Sequence, residues 1–260
     1  MSDLDNIIKD GFSLEVQQRK QSDLALISLK IALKSYFGTY QAFKNKLHLF
    51  IPKAEVDVDE SDYHHSSSYC EACVETIIHF QHFVELFCKR ILRDEHPLLS
   101  DIALEKPEIL HKLLSKKKLN SEEEASVRSI EFSVTIKRLD TLIKKKLLKN
   151  YSDLAFISEH KDTLTKLNNI RNRIWHRGVY VLRYSALDKF ISGYVLPFVI
   201  EAIKHPSLAS QQDAWRFKNL HADIDPISEL VKEIKSTKPD IGKLALLLSL
   251  IHISEPTRPY

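Results

Sequence analysis

A chain of 260 residues, 43% hydrophobic and 28% charged, carries enough apolar material for a substantial core and has the balance of an ordinary globular domain. Only five glycines leave few positions for tight hairpins, which argues against an all-β fold. Three cysteines, Cys70, Cys73 and Cys88, exclude a disulfide scaffold and suit a reducing compartment. A formal charge of +3 does not mark a nucleic-acid binder by its total, so any such binding must come from locally clustered charge. Residues 1–13 lack the basic start and apolar stretch of a secretory leader, and no apolar run approaches bilayer length. The expected setting is cytoplasmic, with no membrane partner.

In chain order, Leu24, Ile27, Leu29, Ile31, Leu33 and Phe37 recur at helical spacing. They predict one or two helices over residues 14–50, with Gly38 as the point of interruption. Pro52 and a cluster of acids read as a loop. Residues 66–93 predict a helix that is apolar around most of its circumference, hence a central core helix, stopped by Pro97. Pro107 opens a short helix through Leu114. Ser121 with Glu124 reads as a capping box, each side chain satisfying the other residue's free N–H, and predicts a helix running to about Leu148. Ser158 opens the next helix, and Gly178 suits its stop. Ser185 with Asp188 is a further box, opening a helix that Pro197 kinks and that ends before Pro206.

The expected fold class is therefore all-α, a helical bundle with extra N- and C-terminal helices. Residues 1–55 form a helical segment packing on the core, 60–205 the main helical domain and 206–247 peripheral helices. The string LSLIHISEPTR over Leu248–Arg258 resembles the conceptual translation of a transposase adapter used in sequencing libraries. It predicts that residues 248–260 are an artefact in which His252 and Glu255 carry no function.

One helix carries the chemistry. On the segment 158–177, Leu164, Leu167, Ile170 and Ile174 fall on one side and face a core. Beside them Asn168, Asn172 and His176, spaced by four, stack into a polar stripe. A solvated helix face would carry Lys and Glu instead, so the stripe reads as the wall of a cleft. Arg171 and Trp175 stand at its border. Arg171 and His176 are about 140° apart around the helix and about 7.5 Å apart along it. One copy of the chain hardly converges both on a single phosphate, whereas two copies about a two-fold axis would build a composite site. In it, Arg171 can clamp the scissile phosphate with its planar fork and His176 can act as general acid or base. Attack by the RNA's own 2′-hydroxyl then requires no cofactor and no metal. Arg173, Arg177 and Arg183 are candidates for phosphate contacts, and Trp175 and Tyr180 for stacking on bases. The competing structural reading is an arginine satisfied by a carboxylate and a histidine suited to the negative end of a helix.

The string LNNIRNRIWHRG, late in a helical chain, resembles the motif of HEPN domains. These are helical bundles marked by an Arg, commonly a following polar residue, and a His four to six positions on. Arg171, Asn172 and His176 meet that pattern, and the likeness covers roughly residues 60–205. It implies a dimeric, metal-independent endoribonuclease, often a toxin held by an antitoxin or an element of phage defence. Some HEPN toxins are silenced by nucleotidyl transfer to a Tyr just beyond the His; Tyr180 stands at a different spacing, so the likeness stops short of that regulation. The alternatives are a HEPN-like scaffold that binds RNA, a nucleotide or a protein without catalysis, and a structural subunit in which the motif is coincidental.

Cys70, Cys73, His79 and His82 invite a zinc reading. All four fall on one predicted helix with Cys73 nearly opposite His79, so small buried cysteines are favoured. Glu75, His79 and His82 share a face and read first as a satisfied polar network, second as a shell approaching the Arg–His cleft. The triplets Lys116–Lys118 and Lys144–Lys146 read as solvated faces.

Overall fold

A computed structural model of the chain describes residues 23–50, 67–102, 106–178 and 180–209, together with Lys232. The fold is all-α. Helix α1 (Leu24–Phe50) and helix α2 (Ser67–Glu95) pack against each other along their length. Tyr69, Ile77, Phe80, Phe83, Val84, Phe87 and Leu92 of α2 are buried around nearly its whole circumference, as its apolar pattern predicts. Each such side chain contributes about 1.5–3 kcal/mol on burial.

Leu26, Leu29, Leu33, Tyr36 and Phe37 of α1 join the same core. Of the one or two helices expected over residues 14–50, the described part is one, α1, which continues through Gly38. Burial of Tyr36, Phe37 and Thr39 on either side outweighs the cost of about 1 kcal/mol that glycine imposes on a helix interior. At Gly38 the two helices come together, with a Cβ built there lying 3.8 Å from the Ala72 Cβ.

After α2, a short 3-10 turn (Pro97–Leu99) leads to strand β1 (Asp101–Ile102), α3 (Pro107–Leu114), α4 (Ser121–Ser126), strand β2 (Arg128–Ser129) and α5 (Phe132–Lys144). Pro107 starts α3 as predicted, but the single helix expected over 121–148 is two. The capping box lies one residue earlier: the Asn120 side chain accepts from Glu123 N–H at 2.8 Å, and the Glu123 carboxylate accepts from Asn120 N–H at 3.0 Å. The chain then extends so that Arg128–Ser129 pairs antiparallel with Asp101–Ile102. Val127 packs in a satellite cluster around Ile109 and Leu113, whereas Ile130 and Phe132 enter the main core. A continuous helix would put Val127 and Ile130, three apart, on one face, so the break lets each reach its own core.

Both lysine triplets close helices. Lys116 and Lys146 have φ of 52° and 55°. Each is followed by a residue whose N–H reaches five back, Lys117 to the Lys112 carbonyl and Leu147 to the Leu142 carbonyl, at 2.9 Å in both cases. That is the Schellman closure, normally glycine's place. The lysines are exposed, and their charge suits the negative ends of α3 and α5.

Ser158 lies inside a short helix, α6 (Ala155–Glu159), and does not open the next one; α7 (Lys161–Arg177) begins after His160. The break lets Ile157 enter the core and sets the His160 ring edge-on to Phe198 at 5.9 Å. Gly178 ends α7 with φ 65°, the left-handed stop predicted for it. Helix α8 (Tyr184–Phe190) starts one residue before the expected box, and Arg183 caps it without a side-chain bond. The Asp188 carboxylate accepts from the Tyr36 hydroxyl instead.

A π-turn (Ile191–Val195) then leads into α9 (Leu196–Lys204). The irregularity expected at Pro197 thus falls just ahead of it, and the proline sits in the first turn of α9, where its missing N–H is not needed. Helix α10 (Pro206–Ala209) follows. Apart from it and Lys232, the peripheral helices expected over 206–247 lie outside the described residues, as do residues 248–260 and the predicted loop at Pro52. No helix among the described residues is long and apolar enough to cross a membrane.

Candidate functional site

Leu164, Leu167 and Ile174 anchor α7 in the core, and Ile170 packs against it half-buried. Tyr69, near the start of α2, donates to the Leu182 carbonyl beyond the end of α7, while Phe87, further along α2, meets Phe156 ahead of α7. The two helices therefore run antiparallel. That orientation sets which α7 residues lie over α2 and which face outward.

Arg171, Asn172 and Asn168 are half-buried; Arg173, Trp175, His176, Arg177 and Arg183 are exposed; Tyr180 is half-buried against the core. Arg171 Nη1 donates to Asn172 Oδ1 at 3.0 Å, and its guanidinium lies 5.5 Å from the centre of the Trp175 ring. Trp175 is 62% exposed, so its other face is open to a ligand. Arg173 stacks on Tyr180 at 3.5 Å. Two arginine–aromatic pairs therefore flank the end of α7. The carboxylate partner that a purely structural arginine would have is absent for Arg171 among the described residues, and its buried Nε has no hydrogen-bond acceptor there. Arg171 and the exposed His176 are not in contact: the structure groups Arg171 with Asn172 and Trp175.

Where α1 packs on α2, the two helices share a polar seam. The Ser35 hydroxyl donates to Glu75 at 2.7 Å, and Ser28 Oγ shares a hydrogen bond of 2.8 Å with His82 Nδ1. Glu85 accepts from Gln81 and Lys89. Burial pushes the His82 imidazole below its ordinary pKa; Glu85 opposes this, while His79, Lys89 and Arg171 reinforce it. His82 thus meets α1 through Ser28 and lies within the field of Arg171 on α7. Burial likewise lowers the pKa of His79, against Glu75, and His79 Nδ1 is buried without a partner among the described residues.

The seam partners Ser28 and Ser35 were not picked out by the sequence reading. The signal was present: Ser28 and Ser35 are seven apart on α1, as Glu75 and His82 are on α2, and matched spacings on antiparallel helices place each serine against one partner.

Among the described residues the cysteines do not form a ligand set. Burial raises the Cys73 thiol to about 11, offset in part by hydrogen bonds with the Leu182 backbone and Tyr69; Cys88 is fully buried. No group of three or more His, Cys, Asp or Glu among the described residues is arranged to hold a metal ion. A cleft of about 640 Å³ lies at the far end of α2, between Arg93, Asp101, Leu113, Lys117 and Glu124. Its lining includes no residue of α7, and its charges are mixed, with Arg93 paired to Asp101 at 3.4 Å.

The chain matches no protein-family model, no curated protein and no solved structure. What carries the HEPN likeness is the string around Arg171 and His176.

Proposed function

We propose that this chain is a metal-independent endoribonuclease of HEPN type, acting as a homodimer whose composite site pairs Arg171 of one copy with His176 of the other. Toxin–antitoxin or anti-phage defence is the setting that the likeness suggests, with an antitoxin or defence protein as a further partner. The observation that supports it most is the state of Arg171. A guanidinium that is half-buried and, among the described residues, has no carboxylate and no acceptor for its Nε is suited to an external anion, because a buried donor left unpaired costs about 1–3 kcal/mol. Such a group can hold a phosphodiester while His176, exposed five residues on, moves the proton of the attacking 2′-hydroxyl. Arg173, Arg177, Trp175 and Tyr180 would hold the adjoining RNA.

The test is cleavage of RNA in the presence of a chelator. Arg171→Ala and His176→Ala should each abolish the wild-type cut with the fold intact, and mixing the two inactive variants in equal amounts should leave about half of the dimers with one working site, and so recover about a quarter of the wild-type activity. A second reading, a non-catalytic module that binds RNA, a nucleotide or a protein, is favoured by the separation of Arg171 from His176 within one chain. A wild-type chain that binds diverse RNAs and cuts none selects it.

A further inference from the structure

Asp140 of α5 is buried, and two lysines converge on it. Lys161, at the start of α7, donates from Nζ to Asp140 Oδ2 at 2.6 Å, and Lys144, at the end of α5, donates to the same oxygen at 3.1 Å. One ammonium would neutralise the carboxylate. Two leave a net positive charge whose negative member lies inside the fold and whose positive members lie outside, the Lys144 side chain being 64% and the Lys161 side chain 36% exposed. An ammonium has three donors, and Asp140 takes one from each lysine, so each keeps donors that no group among the described residues occupies. Lys137 stands three residues before Asp140, as Lys144 stands four after it, which puts both lysines on one flank of α5. Lys137 is exposed, and its ammonium has no partner among the described residues.

This cluster lies on a particular side of α7. Thr165, Asn168, Asn172 and His176 follow Lys161 by 4, 7, 11 and 15 residues, and at about 100° per residue all four fall within about 60° of it. The polar stripe therefore runs from the lysine cluster at the start of α7 to His176 near its end, about 22 Å away. Acid is scarce along the way. The one acid of α7, Asp162, stands about 100° round from Lys161. From Phe132 to Ser152, Asp140 is the single acid against Lys137, Arg138, Lys144, Lys145, Lys146 and Lys149.

We propose that Lys137, Lys144 and Lys161 form a phosphate-contact cluster for one strand of RNA, whose backbone follows the polar stripe of α7 from His176 to these lysines. The proposal rests on the reading above that the chain binds RNA at the Arg171–His176 end, and adds the direction in which the strand leaves that end. A polyanion fits a track with cations at both ends and uncharged polar groups between them. A span of about 22 Å accommodates about six or seven nucleotides at roughly 3.4 Å each. Asp140 is the positioning residue: it holds two flexible ammonium groups beside each other, so that less of their freedom is lost when a phosphate arrives.

The experiment titrates the full-length protein into a fluorescent single-stranded RNA of about 12 nucleotides, longer than the track, at several salt concentrations. Its riboses are 2′-O-methylated, so it cannot be cut by its own 2′-hydroxyls. Each phosphate contact to a single strand contributes about 0.7 to the slope of log affinity against log salt. The double variant Lys137→Gln/Lys144→Gln should therefore flatten the slope by about 1.4, so that the affinity lost between about 50 and 200 mM salt shrinks roughly sevenfold. Lys137→Gln alone, which breaks no bond within the described fold, should give half of that change in slope. Lys117→Gln/Lys118→Gln removes the same charge at the end of α3 and should keep the wild-type slope. A Lys137→Gln/Lys144→Gln slope equal to that of wild type overturns the proposal; so does equal flattening by both lysine pairs, and so does a wild-type chain that binds no RNA. Cleavage of unmodified RNA is scored separately. A flattened slope in a protein that cuts nothing keeps the track and removes the nuclease, and cleavage with an unchanged slope does the reverse.

Discussion

The Tyr36 hydroxyl, carried by a fully buried ring on α1, donates a hydrogen bond of 2.6 Å to the Asp188 carboxylate on α8. It ties the N-terminal helix to the segment that follows α7. Tyr36→Phe keeps the ring and removes the donor. A hydrogen bond to a charged group contributes about 1.5–3 kcal/mol, so chemical denaturation should report a loss in that range. A loss below about 0.5 kcal/mol would mean that Asp188 finds a replacement donor.

The two left-handed lysines make the opposite kind of prediction. Lys116→Gly and Lys146→Gly each relieve a backbone cost of about 1–2 kcal/mol for an L-residue in that region, offset by the greater freedom of glycine in the unfolded chain. Each variant should gain about 0.5–1 kcal/mol in a urea melt. The sites close different helices, so the double variant should show nearly the sum.

These closures also show where sequence reading reaches its limit. Pro107, Gly178 and the apolar circumference of α2 announced their elements because each acts locally: a proline fixes φ, a glycine tolerates positive φ, and a wholly apolar helix has to be central. The lysines at positions 116 and 146 gave no such signal, since tertiary packing imposes on them a conformation their type disfavours. Gly38 left one helix or two open, and the choice falls to packing, the local cost of glycine being overridden by burial of Tyr36 and Phe37. The break between α4 and α5 was hidden because it follows from two separate cores competing for Val127 and Ile130, which no window on one segment reveals. At the candidate site, α7 displayed its own stripe, but the meeting of His82 with Ser28 depends on how α1 and α2 are paired.

Asp140 of α5 gives a dependence on pH. Its carboxylate is buried, and burial alone would raise its pKa; hydrogen bonds from Lys161 and Lys144 outweigh that and hold it below the usual carboxylate range. Since the folded value lies below the unfolded one, the stabilisation is present above about pH 4 and is lost as pH falls through the folded value. Asp140→Asn should therefore lower stability at pH 7 while narrowing the difference from wild type as the solution is acidified. Melting temperatures of both proteins between pH 7 and pH 2.5 would show the curves converging; parallel curves would mean that the pair with Lys161 contributes nothing on folding.

Trp175 separates ligand contact from packing. It is 62% exposed and lies over the Arg171 guanidinium at 5.5 Å, so removing it vacates little core. Were it only a surface aromatic, Trp175→Ala would leave both stability and RNA binding within error of wild type. If its open face stacks on a base, the variant should keep its melting temperature and lose about 1–3 kcal/mol of RNA affinity, a weakening of roughly 5- to 150-fold in a fluorescence-anisotropy titration at fixed salt. Trp175→Phe, which keeps a smaller stacking surface, should fall between the two. The salt dependence of binding should stay the same in all three proteins, because a stacked base releases no counterions. Arg173→Gln and Arg177→Gln should instead flatten it, and that contrast identifies which side chains touch bases and which touch phosphates.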